Sequence, residues 1–275
     1  MQGDAGALPS FEFLELRLNR GRLDVLFNRP GQRNAVNSAM SREIGALVEW
    51  LEGQTTIRVV TLAGAGGNFC AGGDIKERRA MAQSGRTESR DDIAARNQAA
   101  GQTFARFEAL PQVTVALVQG AAFGGGMGYA CLCDITILTE SALMGMPETT
   151  LGVTPAQIAP YVVRRIGLSQ ARALAVTGRR IDATEALRLG VGHHLVADDQ
   201  GATKLDEVVA QIMRCGPQAN AATKAIMNRV GNMPVAELGR FAAERFADLN
   251  LSPEGQEGQS AFVEKRRPDW TASAP

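Results

Sequence analysis

The chain has 275 residues, with 29 Lys and Arg against 29 Asp and Glu, for a formal net charge of zero. That length can bury a core without disulfides or metals, and the balanced charge provides no global field to draw in nucleic acid or an anionic membrane, so any anionic ligand must be met locally. The four cysteines, Cys70, Cys131, Cys133 and Cys215, show no CxxC spacing and sit mostly in apolar surroundings, which suits reduced structural thiols better than a redox or zinc role.

The N-terminal stretch MQGDAGALPSFEF has no basic segment and no long apolar run, so neither a secretory signal nor a membrane span is expected, and a soluble, cytoplasmic protein is. Alternating or continuous apolar runs with β-branched residues predict strands over Phe11–Leu18, Arg22–Asn28, Arg58–Ala63, Val113–Gln119 and Asp134–Thr139. Helical periodicity falls between them, over Ser38–Glu52 with Ser38 or Ser41 as N-cap, and over Asp92–Ala109. The intervening stretch Glu77–Ala95 is rich in Arg, Asp, Ser and Gln and reads as a solvated helix face or a loop. From about Gly167 the pattern turns helical, over Ser169–Thr177, Thr184–Leu189, Thr203–Arg214, Ala219–Arg229 and Val235–Leu249. Strands alternating with helices predict an α/β architecture with a helical C-terminal part.

Residues 58–74 and 113–129 echo each other, each placing an apolar strand before a Gly-rich turn and a helix start. Glycine is costly in ordered structure unless the backbone needs it, so Gly64, Gly66, Gly67, Gly72 and Gly73, then Gly124, Gly125, Gly126 and Gly128, call for a reason. No GK[ST] follows either run, neither fits GxGxxG with a suitably spaced acidic residue, and there is no GxSxG. What remains is a strand-end turn feeding a helix whose first N–H groups are unpaired. Two such turns facing each other would hold one oxygen anion between two N–H donors; either alone is equally a tight turn without chemistry.

Five blocks, NRPGQRNAVN, FCAGGDIKE, GAAFGGGMGYACLCDI, MPETTLGVTPAQIAPYVVRRIG and AFVEKRRPDW, resemble in order and spacing the signature blocks of the crotonase (enoyl-CoA hydratase/isomerase) superfamily, over nearly the whole chain. The resemblance implies a ClpP/crotonase-like superhelix of ββα turns over residues 1–200, holding CoA and the active site, and a helical region over 201–275 that packs trimers, often paired into hexamers. It implies an acyl-CoA thioester as partner, with no cofactor beyond the coenzyme A carried by the substrate, and no metal, nucleic acid or membrane. The N–H groups of Gly73 and Gly125 would bind the thioester oxygen as it becomes an enolate. CoA contacts would fall on Arg33 to Ala35 and on Ala71, Gly73, Asp74 and Ile75, with Phe262 and Lys265 reaching CoA, commonly that of a neighbouring subunit. Lys265 is also readable as a solvated charge among EKRR.

Glu148 follows Met144-Gly145-Met146-Pro147, a stretch with little to solvate a carboxylate, and burial there would raise its pKa toward that of a general acid/base. Read alone it is a surface carboxylate opening a turn; the resemblance makes it the catalytic candidate. Two-glutamate hydratases of the family carry another Glu where this chain has Gly128, and Tyr129, Glu140 or a residue of Glu77–Ala95 is left to approach that place. Three outcomes follow: a one-carboxylate hydratase, a Δ3,Δ2-enoyl-CoA isomerase, or an acyl-CoA binder without chemistry. The phrase LGVTPAQIAPYVVRRIG is similar to hydratases of branched glutaconyl-CoA thioesters (3-methylglutaconyl or isohexenylglutaconyl), which tend to carry Gly at the first Glu position. Such a substrate needs a cation or donors for its distal carboxylate, with Arg79, Arg86, Gln157 and Arg164 as candidates. His193 and His194, the only histidines, are adjacent and unsuited to chelating one metal, and Asp74 and Asp134 read as structural.

Overall fold

The computed structural model describes residues 7–84 and 88–273; Arg86, one of the carboxylate candidates, lies outside them. Strands β1 (Leu14–Asn19) and β2 (Arg22–Phe27) form a hairpin. Its two-residue turn, Arg20-Gly21, takes positive φ at both positions, 45° and 82°, the backbone twist that a tight hairpin favours. Helix α1 (Ser38–Glu52) buries Met40, Ile44, Leu47, Val48 and Leu51, one helical stripe. Its N-cap is neither Ser38 nor Ser41 but Asn37, whose side chain accepts the Met40 N–H at 2.8 Å.

Next come β3 (Val59–Gly64), α2 (Ile75–Gln83) and α3 (Arg90–Ala109), the last opened by a capping box between Ser89 and Asp92. Strand β4 (Val113–Val118), the short β5 (Ala121–Phe123) and α4 (Gly125–Leu132) repeat the pattern. So do β6 (Ile135–Thr139), β7 (Leu143–Gly145) and α5 (Ala159–Thr177), which bends at Gly167. Strand β8 (Arg180–Asp182), α6 (Ala183–Leu189) and β9 (His194–Val196) close the mixed part. Helices α7 (Gly201–Ile212), α8 (Pro217–Met227), α9 (Val235–Leu251) and α10 (Pro253–Val263) follow.

The main sheet has the order β1-β2-β3-β4-β6-β9, parallel except for β1, and a smaller sheet has the order β5-β7-β8. Each repeat sends one strand to the main sheet and one short segment to the smaller layer before its helix, which is the spiral of ββα turns that the sequence resemblance implied. Two isolated parallel bridges, Val36 with Gly73 and Cys70 with Ala122, continue the smaller layer toward α1. The central strands β3, β4 and β6 are buried on both faces, as parallel strands usually are. Val59, Val115 and Ile137 pack with Leu205, Val208, Val209 and Ile212 of α7, while Val60, Ala116 and Leu138 join the larger core on the other side. Cys70, Cys131 and Cys133 are buried thiols, pushed by that burial up to about 11 for Cys70 and about 12 for the other two.

The C-terminal helices are tied to this body by polar anchors. Arg58 donates to the carbonyls of Met213, Cys215 and Trp270, and the buried Lys224 ammonium donates to the Gln112 carbonyl at 2.9 Å and pairs with Asp134 at 2.8 Å. Asp134 also accepts from the Thr114 N–H and hydroxyl, so its role is structural. His193 accepts the Thr136 N–H and meets Arg165, a structural position as well.

Candidate active site

Three strand ends converge at one edge of the smaller layer. Strands β5 and β7 are parallel neighbours with Phe123 opposite Gly145, so the chain leaves β5 through Gly124 into α4 beside the place where β7 leads into Met146, Pro147 and Glu148. The segment Cys70–Gly73 runs parallel to β5: Cys70 N–H donates to Ala121, and Phe123 N–H donates to Cys70. A Cβ on Gly72 would stand 2.8 Å from the Phe123 carbonyl and 3.7 Å from the Gly124 Cα, so the two turns lie back to back. Gly72 (φ +90°) and Gly124 (φ +52°) both take backbone conformations that a side chain resists.

The proposed donors sit at these two turns. In the Val36–Gly73 bridge the bonds run from Val36 N–H to Gly72 and from Asp74 N–H to Val36, so the N–H of Gly73 itself faces away from Val36, toward the Gly124 side. Gly125 opens α4, where a helical N–H has no intrahelical acceptor. Among the described residues neither N–H is taken by a backbone carbonyl, and a Cβ on Gly125 would meet nothing within 4 Å.

Glu148 lies against this pair. Its Oε1 is 2.7 Å, and its carboxyl carbon 3.5 Å, from where a Cβ on Gly124 would stand. Its Oε2 is buried without a hydrogen-bond partner in the structure. Burial lifts the carboxyl above its ordinary range, while a hydrogen bond with its own backbone and the charge of Arg78 offset part of that. A half-buried carboxylate with a raised pKa beside two unpaired donors can move a proton next to a polarised carbonyl.

The CoA candidates on the two loops do come together. Ala71 N–H donates to Arg33 at 3.0 Å, and the Val36 bonds extend the contact, so residues 33–36 lie beside 71–74. Arg33 and Asn34 both take left-handed conformations, φ 50° and 56°. Asn34, fully buried, holds the loop by accepting from Arg29 N–H and donating to the Ala65 and Asn68 carbonyls. Arg29 donates to the Ala35 carbonyl and pairs with Asp74 at 3.0 Å. Asp74 in turn caps α2 by accepting from Lys76 and Glu77 N–H; burial works to raise its pKa, but the Glu77 N–H and Arg29 outweigh it and hold the carboxyl below its usual range. Ile75 is 51% exposed beside this loop, an apolar surface open to a ligand. Phe262 and Lys265 stand at the end of α10, the first 85% exposed. No hydrogen bond or ion pair among the described residues joins them to the site within one chain.

Three expectations change. The place that the resemblance gives to a second glutamate, Gly128, is not filled by a substitute acid: a Cβ there would be 2.5 Å from Ile158 Cγ2 and 3.8 Å from the Phe104 ring. Tyr129 packs its ring against Phe27, Phe104 and Phe107 in the core, and Glu140 is exposed at the end of β6. Among the carboxylate candidates, Arg164 is engaged by Glu108 at 2.7 Å and Gln157 by Asn97 at 2.7 Å. Finally, the charges of Glu77–Ala95 are not all solvated. Glu77 accepts from the Ser38 N–H and hydroxyl, and Arg78, though exposed, lays its guanidinium against Gly73, its Nη2 filling the place a Cβ there would take. Helical spacing held the signal for Arg78, since it falls one turn after the N-cap Asp74.

The profile of the enoyl-CoA hydratase/isomerase family matches residues 18–273, nearly the whole chain. The chain belongs to the crotonase (enoyl-CoA hydratase/isomerase) superfamily. It is 31% identical to the short-chain-enoyl-CoA hydratase of Clostridium acetobutylicum, over 88% of this chain and 91% of that one. Among solved crotonase-fold structures, an enoyl-CoA hydratase/isomerase from Marinobacter aquaeolei superposes with a TM-score of 0.88 at 44% identity, covering 94% of this chain and 99% of that one. AtuE of Pseudomonas aeruginosa superposes with a TM-score of 0.90 at 44% identity, covering 94% and 100%. The ββα spiral described above is thus the crotonase fold. Among the described residues no helix is long and apolar enough to cross a membrane, and no group of three or more His, Cys, Asp or Glu is placed to hold a metal ion.

Proposed function

We propose that this crotonase is a one-carboxylate enoyl-CoA hydratase acting on a branched glutaconyl-type 2-enoyl-CoA. The observation that carries it is the convergence of the unpaired Gly73 and Gly125 N–H groups with the unpartnered Oε2 of Glu148. The two N–H groups hold the thioester oxygen and stabilise the negative charge that develops there. Glu148 takes a proton from water as the water oxygen bonds to the β-carbon, and the electron pair of the double bond moves through the α-carbon to the thioester oxygen. The resulting enolate collapses by taking that proton from Glu148 at the α-carbon, so one water is added and the carboxylate is restored.

The glutaconyl substrate is supported by the likeness of LGVTPAQIAPYVVRRIG to hydratases of that branch and by Gly128 at the first glutamate position. CoA lies along the paired segments 33–36 and 71–75. In this proposal three chains, or two such trimers, assemble through the C-terminal helices and bring Phe262 and Lys265 to CoA of a neighbouring subunit; Phe246, Leu251, Phe262 and Val263 leave an exposed apolar surface there.

Ile158 in the space of a second acid favours one other reading, a Δ3,Δ2-enoyl-CoA isomerase in which Glu148 carries a proton between the γ- and α-carbons. Mass spectrometry of products from a panel of 2-enoyl- and 3-enoyl-CoA thioesters separates the two. Hydration adds one water to the 2-enoyl compounds; isomerisation leaves every mass unchanged and overturns the hydratase proposal.

A further inference from the structure

The first turn of α2 places a cation directly at the doorway of the two N–H donors. Arg78 is five residues after Gly73, and its N–H is held by the Asp74 carbonyl at 3.2 Å. Its guanidinium folds back, with Cζ 3.2 Å and Nε 3.7 Å from where a Cβ on Gly73 would stand. Among the described residues it makes no ion pair and no side-chain hydrogen bond, although fourteen ion-pair contacts among those residues engage an arginine. The carboxylate next to it in sequence, Glu77, is committed to Ser38, and Asp74 to Arg29 and the α2 N–H groups. Across the site the position that could have offered a second acid holds Gly128 against the apolar Ile158. Among the described residues the site therefore holds one acid, Glu148, and a cation whose charge reaches Glu148 but which no carboxylate holds in an ion pair.

A neutral acyl chain entering between Gly73 and Gly125 would have to displace this guanidinium and give it nothing in return. An acyl chain ending in a carboxylate would give it a bidentate, charge-assisted partner while the three-carbon stem swings it off Gly73. We propose that Arg78 is a specificity-determining residue that binds a carboxylate on the acyl group, selecting dicarboxylic over monocarboxylic acyl-CoA thioesters. The inference rests on the glutaconyl proposal above and assigns the residue that reads the distal carboxylate.

Its test uses saturated thioesters, which bind without turnover, so its outcome is separate from whether the protein hydrates anything. Titration calorimetry of glutaryl-CoA and butyryl-CoA is carried out on the full chain, on Arg78→Ala, Arg78→Lys and Arg79→Ala, with melting temperature as the folding control. The unmodified protein is expected to bind glutaryl-CoA about tenfold or more tightly than butyryl-CoA. Arg78→Ala removes that preference while leaving butyryl-CoA affinity within about twofold, Arg78→Lys keeps part of it, and Arg79→Ala keeps it all. Four results overturn the assignment: no preference in the unmodified protein, a preference that survives Arg78→Ala, loss of the preference in Arg79→Ala instead, or an equal loss of both ligands in Arg78→Ala, which would place the guanidinium on the phosphates of coenzyme A. A protein that prefers glutaryl-CoA through Arg78 but adds no water to any enoyl thioester would refute the hydratase proposal and leave this one standing.

Discussion

Glu148 and Gly124 are fitted to each other: the carboxylate Oε1 occupies the volume, 2.7 Å away, into which a side chain at position 124 would project. The acid is placed by the absence of a Cβ as much as by its own turn. Gly124→Ala should therefore displace the carboxylate and strain a backbone at φ +52°, with loss of about a hundredfold or more in kcat and a lowered melting temperature. Gly125→Ala, whose Cβ meets nothing within 4 Å of protein, should melt as the unmodified protein does and lose kcat/KM, because the space it enters is the space for substrate. Steady-state kinetics and thermal melts on both variants check the pair; equal activity in all three proteins would contradict the placement.

Removing the charge of Glu148 should separate activity from stability. Burial raises its pKa in the fold, so the ionised form is the one the fold disfavours. That cost is absent below the unfolded value of about 4.3, grows as pH rises from there through the raised folded value, and is constant above it. Glu148→Gln should lose about a hundredfold or more in turnover, still bind CoA thioesters, and melt higher than the unmodified protein at neutral pH. The gap should close below about pH 4. Melting curves across pH measure it.

The same shift sets the acidic limb of the rate profile. With Glu148 as the base that receives the water proton, kcat/KM should fall on acidification with an apparent pKa above the ordinary carboxylate range. Since the charge of Arg78 lowers that value, Arg78→Ala should move the limb to higher pH. A limb that stays in place in the Arg78 variant would show that the two charges do not interact.

Much of the architecture was legible because the main strands and helices obey simple periods. Helix α1 is bounded at Ser38 and Glu52 as its stripe of apolar residues predicts, and the Gly turns after β3 and β4 echo each other because each ends a repeat of one spiral. The smaller sheet and the last strand of the main one were not legible: β5, β7, β8 and β9 have three residues each, too few to show a period of two. Helix α10 was hidden by its two glycines, Gly255 and Gly258, the first against the Leu249 carbonyl and the second against the Trp270 ring. At the site, the blocks pointed to Gly73, Gly125 and Glu148, but neither composition nor spacing shows that Ile158, thirty residues after Gly128, fills its void. Arg78 stands out from the charges around it only once Asp74 is known to cap the helix that carries it, one turn before.

Gly128 offers a check on that packing. A methyl group there would stand 2.5 Å from Ile158 Cγ2 and 3.1 Å from its Cβ, so Gly128→Ala should destabilise by about 1–3 kcal/mol through overpacking. Combining it with Ile158→Ala, which removes the Cγ2 that the methyl would meet, should cost less than the sum of the two single variants, because the two side chains share one space. Denaturant unfolding of the two single variants and the double variant measures the coupling.

Asn34 should be as important to the CoA loop as any residue that touches the ligand. Fully buried at φ 56°, it satisfies one N–H and two carbonyls of neighbouring loops, and Asn34→Ala should cost about 2–4 kcal/mol. Because residues 33–36 hold the segment that carries Gly73, the variant should also raise KM for acyl-CoA. Unfolding and kinetic measurements on one preparation test both effects.

The central claim, that one carboxylate and two backbone donors add water to an enoyl thioester, is tested most directly by supplying a methylglutaconyl-type 2-enoyl-CoA in heavy-oxygen water. Mass spectrometry should show one heavy oxygen in the acyl product formed by the unmodified protein and none formed by Glu148→Gln. A heavy-oxygen product from the Glu148→Gln variant at an undiminished rate, or none from the unmodified protein, would contradict it.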